Sequence, residues 1–166
     1  MKEPLLTRAL QDEPLVPSDL RIWYEPAQIQ EWIEDEINTL DWQNAQLVEY
    51  MSAHPSYQPK GMLCALTYAY ATGRYDSEEI LRELRAETKG AEASALELFS
   101  DAHAVSRFRR ENRGLLKWAL VQVFKRAVRA RHGDFILPVG LKRLLLQTAV
   151  GRLDLARQID SGQEGP

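Results

Sequence analysis

Apolar residues recur at helical spacing along nearly the whole chain, and proline and glycine mark where the helices begin and end. The clearest segment runs from Pro59 to Gly73, with proline in its first turn and glycine after its last. A second segment, from Pro26 to about Thr39, carries one apolar stripe. No stretch has the alternating pattern or the composition of a strand. The sequence therefore predicts an all-α fold, a compact bundle of six to eight helices.

Further helices are predicted wherever a capping residue or a break precedes an apolar repeat. They run from Asp41 to about 54, from Ser77 to about 89, and over 91–99, 103–132 and 139–150, with a last short helix after Gly151 that ends at about 159. The helix over 103–132 is the longest, with Asp101 as its cap and Gly133 at its end. Prolines at 4, 14 and 17 predict an extended N-terminal arm over 1–25. Residues 26–160 then form one helical domain, and 161–166 form a frayed tail.

Composition points to a cytoplasmic protein without a membrane segment. A chain of 166 residues is within the range of one domain. No apolar run approaches the length of a membrane span, and acidic residues near the start do not fit a signal peptide. The single cysteine, Cys64, rules out a disulfide within the chain and is typical of a reducing compartment.

Charge is distributed unevenly along the chain. Residues 1–60 contain four Lys or Arg and eleven Asp or Glu, whereas residues 101–143 contain eleven Lys or Arg and three acids. A basic segment of this kind favours a phosphate-rich partner. The acidic front half either repels such a partner or covers the basic surface until the partner arrives.

The basic segment has the outline of a helix-turn-helix: the short helix over 91–99, a turn, and the long helix over 103–132. The first turns of the second helix can enter the major groove, and the rest can contact phosphates. Candidate base-reading residues are His103, Ser106, Arg107, Arg110 and Asn112; Arg109, Arg113, Lys117, Arg126 and Arg129 complete the candidate DNA-binding set. The alternative interpretation is that a long amphipathic helix simply needs a charged outer face.

No pattern in the sequence indicates catalysis or a cofactor. Glycine motifs for phosphates are absent, and the three histidines lie far apart without metal-ligand spacing. The densest acidic run, Glu34-Asp35-Glu36, is explained by a solvated helix face. We therefore expect no metal, no cofactor and no enzymatic activity.

Two segments, residues 57–73 and then 101–112, resemble in this order the helical N-terminal domain of bacterial insertion-sequence transposases of the DDE type. In that family an aromatic-x-Pro opening leads to Tyr-x-Tyr-x-x-Gly, then a Ser-led helix, then Pro-Asp-His-x-Thr-Ile-x-Arg-Phe-Arg. The matching residues here are Tyr57, Pro59, Met62, Leu63, Tyr68, Tyr70, Gly73, Ser77, Ile80, Asp101, Arg107, Phe108 and Arg109. Ser100, Ala102 and Ala104 replace the family's Pro, His and Thr.

The resemblance implies DNA handling, with double-stranded DNA, a second copy or a full-length transposase as partner. The family's catalytic half is an RNase H-like fold with three carboxylates and two metal ions. The residues after Gly133 are too few for that fold and follow a helical pattern. The expected function is a stand-alone, non-catalytic DNA-binding protein that regulates transposition or transcription. The alternatives are a protein–protein adaptor built on the same helices, or a transposase remnant without a function.

Overall fold

A computed structural model describes residues 15–40, 59–87, 101–133 and 136–163. These residues form a short 3-10 helix, Leu20–Ile22, and six α-helices, with no strand among them. The α-helices are α1 Pro26–Asn38, α2 Pro59–Ala71, α3 Ser77–Glu87, α4 Ala102–Glu111, α5 Arg113–His132 and α6 Val139–Gln163. The predicted all-α class and compact bundle are confirmed. The predicted helices over 41–54 and 91–99, and with them the first half of the helix-turn-helix unit, lie outside the described residues.

Helix α5 is at the centre of the bundle and packs against α1, α2 and α6. Its apolar side chains repeat every three or four residues and are fully buried. They are Leu116, Ala119, Leu120, Val123, Phe124, Ala127 and Val128. Each large side chain of this kind stabilises the fold by about 1.5–3 kcal/mol relative to an exposed position. Leu15, Val16 and Leu20 join the same core, so the described end of the predicted arm is held against the body.

Gly73 allows the chain to leave α2 and pass close to the segment that precedes α1. Its φ of +80° is in the left-handed region, and the Arg74 amide donates to the Ala69 carbonyl at 2.9 Å, which closes the helix end. A Cβ at Gly73 would lie 2.9 Å from the Ser18 carbonyl oxygen. The predicted glycine C-cap is therefore confirmed, and close approach adds a second reason for glycine there.

The single long helix predicted over 103–132 is wrong, because the chain breaks at Asn112. Helix α4 ends at Glu111, and Asn112 has φ −120° and ψ 29° before α5 begins. The Asn112 side chain donates to the Phe108 carbonyl at 3.1 Å, beside the backbone amide that donates to the same oxygen at 2.9 Å. Asparagine favours such local hydrogen bonds over the helix interior, and Gly114 weakens the next turn.

The break predicted at Gly151 is also wrong, since α6 runs without interruption from Val139 to Gln163. A glycine costs a helix interior about 1 kcal/mol relative to alanine. Buried side chains on both sides of it, Leu145 and Ala149 before and Leu153 and Ala156 after, hold the helix together by packing. The prediction failed because tertiary contacts outweigh that local cost.

The predicted cap of α3 is shifted by one residue. Asp76, rather than Ser77, accepts from the Glu78 amide at 2.9 Å and holds the first turn. Ser77 is the first helical residue and points its hydroxyl into the core. None of the helices in the described part of the chain combines the length and the apolar character that a membrane crossing requires.

Candidate nucleic-acid interface

Helix α4 has an inner side that belongs to the core and an outer side that faces solvent. Val105 and Phe108 are buried on the inner side, 0% and 1% exposed. Arg109 is buried there as well and forms an ion pair with Asp160 of α6. The sequence placed Arg109 on the charged outer face, whereas its guanidinium lies inside the fold.

Asp160 connects three helices through its two carboxylate oxygens. One accepts from the Ser77 hydroxyl at 2.6 Å and from Arg109, and the other accepts from the Ser77 amide at 3.2 Å. Burial alone would lower the pKa of Arg109, but its hydrogen bond to Asp160 raises that pKa above the ordinary arginine value. The Arg109 guanidinium therefore keeps its charge, and the cluster fixes α4 against α3 and α6.

The outer side of α4 brings together three of the predicted base-reading residues: His103, Arg107 and Arg110. Their spacing of four and then three residues places them in one row along the helix. His103 and Arg110 are exposed, and Arg107 between them is half-buried. The row begins at the helix N-terminus, where the Asp101 carboxylate accepts from the Ala104 amide at 2.8 Å. We call these three residues the α4 row.

The other two predicted base-reading residues serve the helix itself. Ser106 is 6% exposed, and its hydroxyl donates to the carbonyls of Ala102 and His103, both at 3.3 Å. Asn112 directs its amide back to the Phe108 carbonyl at the helix end. Both side chains are therefore engaged locally.

Two of the predicted phosphate-binding arginines are paired with acids inside the chain. Arg113 donates to Asp154 at 2.7 Å, and Arg126 donates to Glu36 at 2.8 Å. Asp35 lies 3.3 Å from the Arg126 guanidinium as well. The acidic helix α1 thus covers part of the basic helix α5. Covering the basic surface is one of the two roles predicted above for the acidic residues 1–60. Lys117 and Arg129, the remaining candidates, are half-buried on α5.

Two aromatic contacts occupy the end of α5. The Arg131 guanidinium lies 4.4 Å from the centre of the Trp23 ring, and His132 meets the same ring edge-on at 6.5 Å. The Tyr24 hydroxyl donates to the Ala127 carbonyl at 2.5 Å. These contacts tie the segment before α1 to the last turns of α5, so Arg131 is also part of the fold.

Arg152 is a buried cation that the sequence did not single out. It donates to the carbonyls of Tyr70 and Ala71 at 2.8 and 3.0 Å, and to the Pro17 carbonyl at 2.7 Å. Its guanidinium lies 4.6 Å from the centre of the Phe124 ring. Burial lowers the pKa of Arg152 below the ordinary arginine value. Because its acceptors lie more than 80 residues away, or in the arm, nothing in the local pattern identifies it.

The described residues contain no candidate metal site. Among them, no three or more His, Cys, Asp or Glu side chains are grouped so as to hold a metal ion. On α4 itself, Asp101 caps the first turn and Glu111 is the last residue of the helix.

Comparison with protein-family models, with curated proteins and with solved structures gives no significant match to this chain. Its own residues therefore carry the functional argument.

Proposed function

We propose that this chain binds double-stranded DNA through the α4 row and does not itself cut or join DNA. The observation that carries the proposal is the arrangement of α4: its inner side is locked into the bundle, and its outer side exposes His103 and Arg110, with Arg107 half-buried and already in contact between them. The resemblance to transposase N-terminal domains supports a role in regulating transposition or transcription.

The chemistry of the row suits a base edge in the major groove. An arginine guanidinium donates two parallel hydrogen bonds to guanine, and each good pair of this kind discriminates by about 1–3 kcal/mol. Arg110 is exposed and makes no ion pair within the described residues, so it is available at no cost to the fold. His103, the second residue of α4, adds a donor or an acceptor in the first turn.

Phosphate contacts are expected first from Lys117, and from Arg129 in exchange for a contact that it already makes within the chain. Arg113 and Arg126 already pair with acids, so a phosphate would have to displace a carboxylate before it gained either cation. Those pairs are partly exposed and worth about 0–1 kcal/mol each, so displacement is possible at small cost. We expect a salt dependence that corresponds to few phosphates, about three to five.

Fluorescence anisotropy with a labelled duplex tests the proposal at about 50 and about 200 mM salt. Arg110→Ala is expected to weaken binding about tenfold, from the loss of roughly 1.4 kcal/mol. The matched control is Arg82→Ala, which removes an exposed arginine from α3 and the same charge. The proposal fails if no duplex binds at the lower salt, or if Arg82→Ala weakens binding as much as Arg110→Ala.

The division of roles along the basic segment has its own test. Arg107→Ala and Arg110→Ala should change the preference between duplex sequences, whereas Arg129→Ala should weaken all sequences alike. Arg126→Ala should also act alike on all sequences, and more weakly because Glu36 competes. A change of preference on Arg126→Ala, without one on Arg110→Ala, would reverse the proposed docking direction.

Absence of cleavage is part of the proposal. A two-metal nuclease needs carboxylates clustered on a rigid frame. Supercoiled plasmid incubated with the protein and magnesium or manganese should therefore stay supercoiled. Nicking that depends on the metal and is lost on Asp101→Ala or Glu111→Ala would restore an enzymatic function.

A protein–protein adaptor is the second candidate, and one observation favours it. Asp35 and Glu36 of α1 already occupy Arg126, which shows that the basic side of α5 accepts carboxylates. An acidic protein partner would use the same chemistry. The adaptor is favoured if no duplex binds in the anisotropy titration while circular dichroism shows that the protein is folded.

A further inference from the structure

Helix α6 exposes apolar side chains that the bundle does not cover. Large exposed hydrophobic residues of the described chain number five, and four of them lie in 136–163. They are Ile136, Val139, Leu146 and Leu155, with exposures of 79%, 73%, 42% and 40%. Val150 is half-buried beside them.

Five positions of α6 form one stripe on its outer side. Val139, Arg143, Leu146, Val150 and Arg157 are separated by four, three, four and seven residues, which is the spacing of a helix–helix seam. We call these residues the α6 stripe. Leu155 is nine residues from Leu146, half a turn out of phase, and so lies on the opposite side.

We propose that a second copy of this chain packs antiparallel along the α6 stripe, about a twofold axis near residue 148. Leu146 lies two residues before that position and Val150 two residues after it. Leu146 of one copy therefore contacts Val150 of the other copy. Val139 and Arg157 are nine residues either side, which places the apolar stem of Arg157 against Val139 of the second copy. A twofold interface uses the same surface on both chains, and this stripe is self-complementary.

Charge selects the second copy and its direction. Arg143 is exposed and makes no ion pair within the described residues. In the antiparallel arrangement Arg143 approaches Asp154 of the second copy. Arg143 lies five residues before the axis and Asp154 six residues after it. A parallel arrangement would instead place Arg143 against Arg143 and Arg157 against Arg157, which is repulsive.

Asp154 has an oxygen available for this contact. Its Oδ1 accepts from Arg113 at 2.7 Å and lies 4.0 Å from Arg157. Its Oδ2 accepts no hydrogen bond from the described residues. A duplex is a poorer occupant, because its phosphates would meet Asp154 and the apolar side chains as well as Arg143.

The expected dimer is weak. A 25-residue helix is about 37 Å long, and one helix pair is at the low end of specific interfaces, about 1,200 Å² of buried surface. We therefore expect dissociation in the micromolar range.

Sedimentation velocity without DNA, over about 5–200 µM protein, tests this directly and independently of the proposed DNA binding. The wild-type sedimentation coefficient should rise with concentration toward that of a dimer. Leu146→Glu should remain monomeric throughout. Leu155→Glu is the matched control, with nearly equal exposure on the opposite side, and should dimerise like the wild type.

A charge exchange tests the antiparallel direction. Arg143→Asp and Asp154→Arg should each weaken the dimer, because both cross-contacts then join like charges. An equimolar mixture should dimerise again, since both contacts of the mixed pair join opposite charges.

The proposal is overturned by a wild-type chain that is monomeric at every concentration, by equal effects of the two leucine variants, or by a folded mixture that stays monomeric. If a charge variant does not fold by circular dichroism, the leucine comparison decides alone.

Discussion

The buried ion pair between Arg109 and Asp160 gives the sharpest test of the fold. Their side chains are 4% and 8% exposed, and the Asp160 carboxylate also accepts both hydrogen bonds from Ser77. Asp160→Asn keeps the size of the side chain and removes its charge. Arg109 then remains buried and cationic, with no carboxylate to compensate it.

Leaving a buried charge uncompensated costs about 3–5 kcal/mol of the free energy of unfolding. The matched control is Asp154→Asn, also on α6 and also opposite an arginine, Arg113. That pair is 39% and 37% exposed, so water screens it and its loss costs about 0–1 kcal/mol. The two substitutions are chemically identical, and the two carboxylates differ in burial and in the hydrogen bonds that Ser77 donates to Asp160.

Urea unfolding followed by circular dichroism measures both losses. With a slope of about 2 kcal/mol per molar, the midpoint should fall by about 2 M for Asp160→Asn and by less than about 0.5 M for Asp154→Asn. Adding Arg109→Met to Asp160→Asn should recover part of the loss, because no buried charge remains. Equal midpoints for the two asparagine variants, or a double variant that loses the sum of its single variants, would refute the reasoning.

The remaining predictions concern backbone, core and ionisation. Gly73→Ala should destabilise by at least about 1–2 kcal/mol because of its positive φ, whereas Gly151→Ala, in open space inside α6, should stabilise by about 0.5–1 kcal/mol; thermal unfolding separates them. Phe108→Ala should cost about 3–5 kcal/mol in urea unfolding and Trp118→Ala roughly half as much, since Phe108 is 1% exposed and Trp118 half-buried; a loss below about 1 kcal/mol for Phe108 would contradict its placement. Burial raises the pKa of Cys64 to about 11, so at pH 8 the native thiol should alkylate about 100-fold more slowly than a free thiol. Because the folded state favours the protonated thiol, the contribution of Cys64 to the free energy of unfolding is complete below about pH 9 and is lost as the pH rises through 11. Cys64→Ala should therefore make the free energy of unfolding less dependent on pH in this range.

Features set by neighbours in sequence were predicted well. The sequence placed α1 at 26–39 and α2 between Pro59 and Gly73, and the structure has them at Pro26–Asn38 and Pro59–Ala71. Proline at a helix start and glycine after a helix end act within one turn, so the signal and its effect lie in the same few residues.

Features set by distant partners were not predicted. The local pattern gives Arg109 a charged outer position, but the break at Asn112 separates α4 from α5, and Asp160, 51 residues away, supplies a buried carboxylate. Arg152 likewise caps α2 from 81 and 82 residues away. A sequence pattern reports which side of a helix is polar, and it does not report which polar residues the rest of the chain will cover.

The same distinction changes what the basic segment implies for DNA binding. Nine Lys or Arg lie between 104 and 132 in the sequence, but Arg109, Arg113 and Arg126 are matched by acids from α6 and α1. Long-range attraction depends on the net field, and each internal pair cancels its own contribution within a Debye length of about 10 Å. Of the candidate DNA-binding cations, Arg110 and Lys117 make no ion pair within the described residues, whereas Arg107 and Arg129 already have contacts of their own. A site of that size should recognise DNA mainly through base contacts by Arg110 and its neighbours, with a small electrostatic contribution to affinity. A steep salt dependence, equivalent to eight or more phosphates by the relation of about −0.9 per phosphate, would show that the internal pairs open on binding.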